Sequence, residues 1–374
     1  MVMHTAMRGQ RRSLPSLAYI RERHRQGDRS LLALIVIAAL IVGALFSLAF
    51  SITTGASDAS ALDVFREVMG AGGTESALSA RDRIIIFDIR LPRAILGFLI
   101  GASLAVSGTV MQGLFRNPLA DPGLIGVTSG SSLGAVTMIV LGGTVAAPIY
   151  ALFGIFALPI AAFVGGLVVT ILLYRVATRH GQTSVATMLL AGIALGALAL
   201  AFTGILIYMA DDKQLRDLTF WSMGSLAGST WVKVAAVGPI MFLSFLALPF
   251  MARGLNAITL GEAAAFHMGV PVQRLKNVAI VAVAAATGAS VAVSGGIGFV
   301  GIVVPHILRM LIGPDHRFLL PAAALLGGSL LIFADVFART IVAPAELPIG
   351  IITAAVGGPF FLWILLRQRS RLSL

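Results

Sequence analysis

The residues of this chain whose types could bind phosphate are its three lysines, Lys213, Lys233 and Lys276. A phosphate-binding P-loop needs a lysine directly after a glycine, because the glycine-rich backbone and the ammonium group together cradle the phosphate oxygens. None of the three lysines follows a glycine. The sequence therefore predicts no ATP-hydrolysing site in this chain, and we assign no catalytic residue.

Carboxylates inside a membrane are the second group that could do chemistry. Proton-coupled or sodium-coupled carriers bury them near the bilayer midplane, where an ionised group is costly and tends to be functional. The nearest candidate is Asp335, close to a predicted helix end. A proton-coupled secondary carrier stays open as an alternative, since backbone carbonyl groups can also bind an ion.

Metal-assisted chemistry needs clustered ligands, and the histidines of this chain are scattered. His306, directly after Pro305, is the histidine that could meet a substrate, although we prefer a packed structural role for it. The sequence predicts no metal site, and a membrane enzyme is the weakest function class. The six histidines are His4, His24, His180, His267, His306 and His316.

The composition requires lipid as the solvent. Of 374 residues, 58% are hydrophobic and only 11% are charged, and the mean hydropathy is +0.96. Such a chain has too few ionic groups to cover a water-exposed surface. The net charge of +11 would suggest a nucleic-acid partner in a soluble protein, but here the basic residues follow membrane topology and we predict no nucleic-acid binding. Cysteine is absent.

Apolar runs long enough to cross about 30 Å of hydrocarbon recur along the chain. They predict an all-α polytopic membrane protein with ten transmembrane helices. Residues 1–30 form a basic tail, and residues 31–374 form one membrane domain. The predicted spans cover about 31–50, 94–115, two helices within 122–174 split near Gly142, 183–210, 234–252, 277–294, a shorter helix to 312, 319–338 and 347–366.

The distribution of Lys and Arg predicts the orientation of the bundle. Roughly 18 of the 27 basic residues fall on the side of the N-terminus, and cytoplasmic segments retain such residues. Both termini are therefore expected in the cytoplasm. The inner segment at about 255–270 is too short and polar to span, and we predict a short cytoplasmic helix there. It is either an idle interfacial helix or a knob for the groove of a partner.

Small residues recur at four-residue spacing, which lets helix backbones approach closely in lipid. Packing within the chain is the interpretation that we prefer, and a transport path or a dimer seam is the alternative. The glycines concerned are Gly97 and Gly101, then Gly126, Gly130 and Gly134, and finally Gly192 and Gly196.

Several longer blocks together resemble the permease subunits of bacterial iron-chelate, haem and cobalamin ABC importers, the type II importers. The resemblance covers nearly the whole chain, and the order and spacing of the blocks carry it. The blocks are Ile-Arg-Leu-Pro-Arg at 89–93, Ser-Gly-Thr-Val-Met-Gln at 107–112, Arg-Asn-Pro-Leu-Ala-Asp-Pro-Gly-Leu-Ile-Gly at 116–126, Leu-Ala-Gly-Ile-Ala-Leu at 190–195, Leu-Gly-Glu at 260–262, Gly-Phe-Val-Gly-Ile-Val-Val-Pro-His at 298–306, Ala-Asp-Val-Phe-Ala-Arg at 334–339 and Glu-Leu-Pro-Ile-Gly at 346–350.

The resemblance implies a homodimer of ten-helix subunits in the bacterial inner membrane, with the path at the two-fold axis. Two ATPase subunits bind beneath the dimer and carry ATP and magnesium, and a periplasmic binding protein docks above it. The outer segment at 211–225 looks most like that of the haem-importing branch of the family, so haem is the expected substrate, and no permanently bound cofactor is expected. A ferric siderophore is the alternative cargo, with cobalamin third.

The resemblance also assigns roles to residues. Arg90, Arg93 and Arg339 are expected at outer helix ends, where they pair with carboxylates of the binding protein, although Asp88, Arg90 and Arg93 could equally be a plain interfacial cluster. The remaining assignments are Leu260, Gly261 and Glu262 as the coupling helix that enters the ATPase cleft, Thr183, Ser184, Asn117 and Leu119 as the cytoplasmic gate, and Met188, Leu189 and Ile193 as the path lining.

Two cations in the outer segments remain without an assigned role. Arg216 or Lys233 could meet the propionates of haem as it enters. A structural ion pair with Asp212 or Asp217 is the interpretation that we prefer.

Overall fold

The computed structural model describes residues 28–55, 79–180 and 182–372, and most of the predicted basic tail lies outside these residues. The described chain is almost entirely helical. Its helices are α1 Ser30–Thr53, α2 Ala80–Phe115, α3 Val127–Leu141, α4 Ala147–Ala177, α5 Val185–Met209, α6 Asp212–Ser222, α7 Trp231–Leu246, α8 Leu248–Ile258, α9 Glu262–His267, α10 Val272–Ser294, α11 Val300–Ile312, α12 His316–Thr340 and α13 Ile349–Leu372. Two short strands, β1 Thr178–Arg179 and β2 Gln182–Thr183, pair antiparallel.

The apolar helices coincide with the predicted spans. Six of them, namely α1, α2, α4, α5, α10 and α12, are long and apolar enough to cross a membrane. The pair α7 and α8 passes the same test together, with a bend of 48° between its parts, and α3, α11 and the described apolar part of α13 are shorter. The prediction of an all-α polytopic protein with ten membrane helices is confirmed.

The start of α2 was predicted wrongly. The helix begins at Ala80 instead of near residue 94, and it runs through a π-helical stretch at Ile84–Arg90. Charged residues in this stretch had marked it as a loop. The buried ones, Arg90 and Arg93, are tolerated in the helix because they bond α1, Asp335 and Glu346.

A helix in the outer segment was also missed. Asp211 caps α6 by accepting a hydrogen bond from the backbone of Gln214 at 2.8 Å, and the Gln214 side chain accepts one from the backbone of Asp211 at 3.0 Å. This reciprocal pair is a capping box, and its spacing was visible in the sequence.

The core of the bundle lies around α2, which is buried along most of its length. α2 packs against α12 at Gly101 and Gly327, where a Cβ atom on either residue would collide with the other backbone. Gly130 on α3 meets the backbone of Gly165 on α4 in the same way. Because lipid supplies no hydrophobic drive between helices, close backbone approach is the main source of packing energy. The interpretation of these glycines as packing sites within the chain is confirmed.

A single methyl group at Gly101 tests this packing. We expect Gly101→Ala to lower the free energy of unfolding by about 1–3 kcal/mol, the usual cost of overpacking a tight contact. Gly43→Ala in α1 is the matched control, because a Cβ atom there meets no atom within 4 Å. The control should be neutral or slightly stabilising, since alanine favours a helix more than glycine does. Thermal unfolding in detergent measures both, and equal stabilities would contradict the packing account.

Candidate functional site

Arg93 forms the centre of a buried ionic network at the end of the bundle that the topology places outside, which we call the outer end. Its Nη2 atom lies 2.8 Å from Asp335 Oδ1, and its Nη1 atom lies 2.9 Å from Glu346 Oε1. Asp335 also faces Arg339, whose Nε atom lies 3.7 Å from Asp335 Oδ2. These carboxylates neutralise guanidinium groups whose burial would otherwise be costly.

The C-terminus of α1 is the second partner of the arginines. The last carbonyl groups of a helix have no partner inside the helix, and they carry partial negative charge. Arg90 Nη1 donates to the carbonyl oxygen of Ile52 at 2.9 Å, and Arg339 Nη2 donates to that of Ser51 at 2.7 Å. The two arginines therefore satisfy carbonyl groups in the last turn of α1.

The three arginines predicted to dock the binding protein are thus brought together, but they are buried. Arg90, Arg93 and Arg339 are 4%, 8% and 6% exposed. The expectation that Arg90 and Arg93 lie at a helix end is wrong, because α2 continues past both of them. Docking stays a prediction. Glu346, whose side chain is 38% exposed, is an accessible edge of the cluster.

α5 is the helix that was predicted to line the path. It contains no charged residue, and large apolar side chains project from most of its length. Such a surface is stable against lipid or against another apolar helix, but not against water. The exposed residues are Leu190, Ile193, Leu198, Leu200, Phe202, Ile205, Ile207, Tyr208 and Met209.

The three residues predicted to line the path differ in their surroundings. Ile193 is 66% exposed on the open face of α5, and Leu189 is partly buried. Met188 is 1% exposed and belongs to the hydrophobic core of the chain. The structure therefore does not support Met188 as a path residue, because its side chain points into its own bundle.

The predicted gate residues Thr183 and Ser184 lie where the β1–β2 hairpin enters α5. Ser184 caps α5 by accepting a hydrogen bond from the backbone of Thr187 at 3.3 Å. The backbone N–H of Thr183 donates to Gln273 Oε1 at 2.9 Å, and Gln273 Nε2 donates to Thr183 Oγ1 at 2.7 Å. The hairpin is therefore fastened to α10 by side-chain hydrogen bonds, and we call it the gate hairpin.

Asn117 and Leu119 occupy the turn after α2. The backbone of Leu119 donates to Asn117 Oδ1 at 2.9 Å, so the side chain of Asn117 stabilises its own turn. The hydrogen bonds given for Asn117 are all local, and those of Thr183 go to α10 and to β1. The described residues thus do not join the two halves of the predicted gate by a direct polar contact.

The predicted coupling helix at about 255–270 is not one helix. Its first residues, up to Ile258, belong to α8, whereas α9 covers only Glu262–His267. Gly261 forms the turn between the two helices. Its φ of 114° is a backbone conformation that residues with a side chain rarely adopt. Leu260 and Phe266 project outward, 72% and 71% exposed, as a docking knob requires.

Arg216 and Lys233 do not form the ion pairs that we preferred. Among the described residues, no ion pair within 4.0 Å joins either cation to Asp212 or Asp217. Arg216 lies exposed on α6, while Lys233 lies in the first turn of α7, beside an apolar cavity of about 120 Å³. A contact with haem propionates stays a prediction.

The sequence did not indicate two residues that contact the gate hairpin. Lys276 and Gln273 lie one turn apart on α10, and both reach Thr183. Thr183 is about 90 residues away along the chain, and no local periodicity connects it to them. A lone lysine at the start of a long uncharged run was the signal available in the sequence.

The outer network makes a stability prediction. Asp335→Asn removes a carboxylate from two buried arginines, and we expect a loss of about 3 kcal/mol in the free energy of unfolding. This value is at the low end of the range for breaking a buried pair, because Glu346 still neutralises Arg93. Asp217→Asn on the exposed face of α6 is the control, and it should change stability by less than about 0.5 kcal/mol. Equal thermal stabilities of the two variants would contradict the network.

Comparisons with known proteins identify the family to which this chain belongs. The profile of the FecCD transport family matches residues 35–367. The hemin transport system permease protein HmuU of Yersinia pestis is 43% identical over 334 residues, which cover 89% of this chain and 97% of that protein. The vitamin B12 import system permease protein BtuC of Salmonella typhimurium is 42% identical over 296 residues, covering 78% and 86%.

A solved structure agrees with the sequence comparisons. The inward-facing structure of a metal-chelate type ABC transporter is 31% identical to this chain, with a TM-score of 0.75, and the match covers 89% of this chain and 99% of that one. The chain therefore has the fold of a type II ABC importer permease, as the sequence blocks predicted. The chain belongs to the FecCD transport family and is a permease subunit of an ABC importer.

Proposed function

We propose that this permease imports haem from the periplasm into the cytoplasm. The observation that carries the proposal is the extent of the similarity to the hemin permease of Yersinia pestis, which covers 97% of that protein, against 86% for the vitamin B12 permease of Salmonella typhimurium. The identities are nearly equal, so the coverage is what favours haem.

The open face of α5 fits a bulky apolar cargo. It presents aliphatic and aromatic side chains and no charge, so the contacts that it offers are weak and non-directional. A path must bind its cargo well enough for entry but weakly enough for release. In the proposed homodimer, the two copies of α5 face each other and enclose this path.

Partner subunits supply the energy. No lysine of this chain stands in a P-loop, so ATP and magnesium are assigned to two ATPase subunits, and no cofactor is held permanently. The exposed apolar side chains of Leu260 and Phe266 next to Glu262 form the surface that would enter a groove of the ATPase. This exposure supports the proposal that α9 is the coupling helix.

A periplasmic binding protein delivers the cargo at the outer end. Its carboxylates would compete with Asp335 and Glu346 for the arginine cluster, so docking would exchange one set of ion pairs for another. The basic residues predict both termini in the cytoplasm and the protein in the bacterial inner membrane.

Other cargoes and another mechanism remain as alternatives. The similarity to vitamin B12 permeases, at 42% identity, supports cobalamin as an alternative cargo. A ferric siderophore fits the same apolar path. A proton-coupled secondary carrier is weaker, because the buried carboxylate of Asp335 is already neutralised by two arginines.

Uptake into liposomes tests the proposal. The purified permease is reconstituted with its ATPase subunits, the binding protein is added outside, and labelled haem entry is followed with and without internal ATP. We expect ATP-dependent entry of haem. The exposed Leu260→Asp places a charge on the coupling surface, and it should lower uptake at least tenfold. The control Leu260→Met keeps an apolar side chain of similar volume at the same position and should keep uptake within about twofold.

The possible results separate the claims. ATP-driven uptake of a ferric siderophore or of cobalamin, without haem, would leave the importer in place and overturn the cargo. Uptake that proceeds equally without ATP would contradict the importer mechanism.

A further inference from the structure

Lys276 is a buried cation that contacts two functional elements at once. Its side chain is 5% exposed, at the inner end of α10. Its Nζ atom donates to Glu262 Oε2 on α9 at 2.7 Å and to the carbonyl oxygen of Thr183 in the gate hairpin at 2.8 Å. One ammonium group thus joins the coupling helix to the gate.

The gate hairpin is held to α10 at further atoms. Gln273, one turn before Lys276, bonds the backbone N–H and the hydroxyl group of Thr183. Gln273 Nε2 also donates to Asn277 Oδ1 at 2.8 Å, and the hydroxyl of Tyr174 on α4 donates to the same oxygen at 2.9 Å. With the carbonyl bond from Lys276, the N–H, C=O and Oγ1 groups of Thr183 are all bonded to α10.

The two charged side chains differ in how accessible they are to a partner protein. The side chain of Glu262 is 41% exposed, and it faces a cleft of about 1120 Å³ that Thr183 and Ser184 also line. Lys276 lines the same cleft but is only 5% exposed, so a partner that contacts α9 reaches Glu262 more readily than Lys276. Because an ammonium group in a buried position needs its partners, displacing Glu262 either draws Lys276 along or leaves it uncompensated.

We propose that Lys276 is the positioning residue that transmits movement of α9 to the gate hairpin, by bonding Glu262 and the carbonyl group of Thr183 together. The inference rests on the proposed importer function and specifies how its gate is controlled. Lys276 contacts neither cargo nor nucleotide in this scheme. It acts on transport through Thr183.

The ratio of cargo moved to ATP hydrolysed measures this role. In the reconstituted complex, Lys276→Met keeps the length of the side chain but removes its three donors. We expect ATP hydrolysis to stay within twofold and haem moved per ATP to fall at least tenfold. Lys213→Met is the matched control, an exposed lysine on α6 outside this cleft, and its ratio should stay within twofold. An unchanged ratio in Lys276→Met would overturn the proposal.

A second variant covers the case in which Lys276→Met does not assemble. Glu262→Gln removes the negative charge that compensates the buried Lys276 and leaves only a neutral amide oxygen as acceptor, and we expect the same tenfold loss of the ratio. The double variant should be no worse than either single one, because both changes break the same connection. Losses that multiply to about a hundredfold, or an unchanged ratio in Glu262→Gln, would overturn the proposal.

A distance measurement reports the gate itself. The chain has no cysteine, so Gln182→Cys in the gate hairpin takes a single spin label per chain. ATP should change the distance between the two labels of the dimer in the otherwise unchanged protein but not in Lys276→Met. An equal change in both would overturn the inference. Haem transport without any ATP dependence in the unchanged protein would instead contradict the proposed function.

Discussion

The structure depends on one constraint: hydrocarbon contains no water to replace a lost hydrogen bond or to solvate a charge. The backbone is therefore helical through the apolar segments. Among the described residues, the ion pairs with a buried cation lie at the two ends of the bundle. Arg93 pairs with Asp335 at one end, and Lys276 pairs with Glu262 at the other. Between them, α5 presents an apolar face without charge.

The same constraint explains why the number and type of the spans could be predicted. An apolar run of membrane length has few alternatives to a helix, so the ten runs reappear as α1–α5, the bent pair α7–α8 and α10–α13. Glycine spacing likewise indicated where backbones approach, as Gly101 and Gly327 do. These signals are local, and each can be evaluated without knowledge of the rest of the chain.

Long-range pairing could not be predicted in this way. Arg93 and Asp335 are 242 residues apart, so the charges that neutralise the outer part of α2 are invisible to a local analysis, and its start was placed too late. The bend between α7 and α8 was missed, because the apolar run at 234–252 reads as one straight span, whereas α8 turns away and buries Leu255 and Ile258 in the core. Lys276 has no local partner that would have revealed its role. Ile193 lies on the open face of α5 and Glu262 is exposed on α9, whereas Met188 is buried in the core, and the roles that the family resemblance implies for them stay predictions.

We propose that the open face of α5 meets a second copy of itself around the path. Cross-linking in native membranes tests it most directly, because Ile193→Cys introduces the only thiol of a cysteine-free chain. We expect Ile193→Cys to form a disulfide-linked dimer on mild oxidation. Phe250→Cys, at a highly exposed position on α8, should form no disulfide cross-link. Free labelling of Ile193→Cys by a lipid-soluble thiol reagent, with no dimer formed, would contradict the proposal.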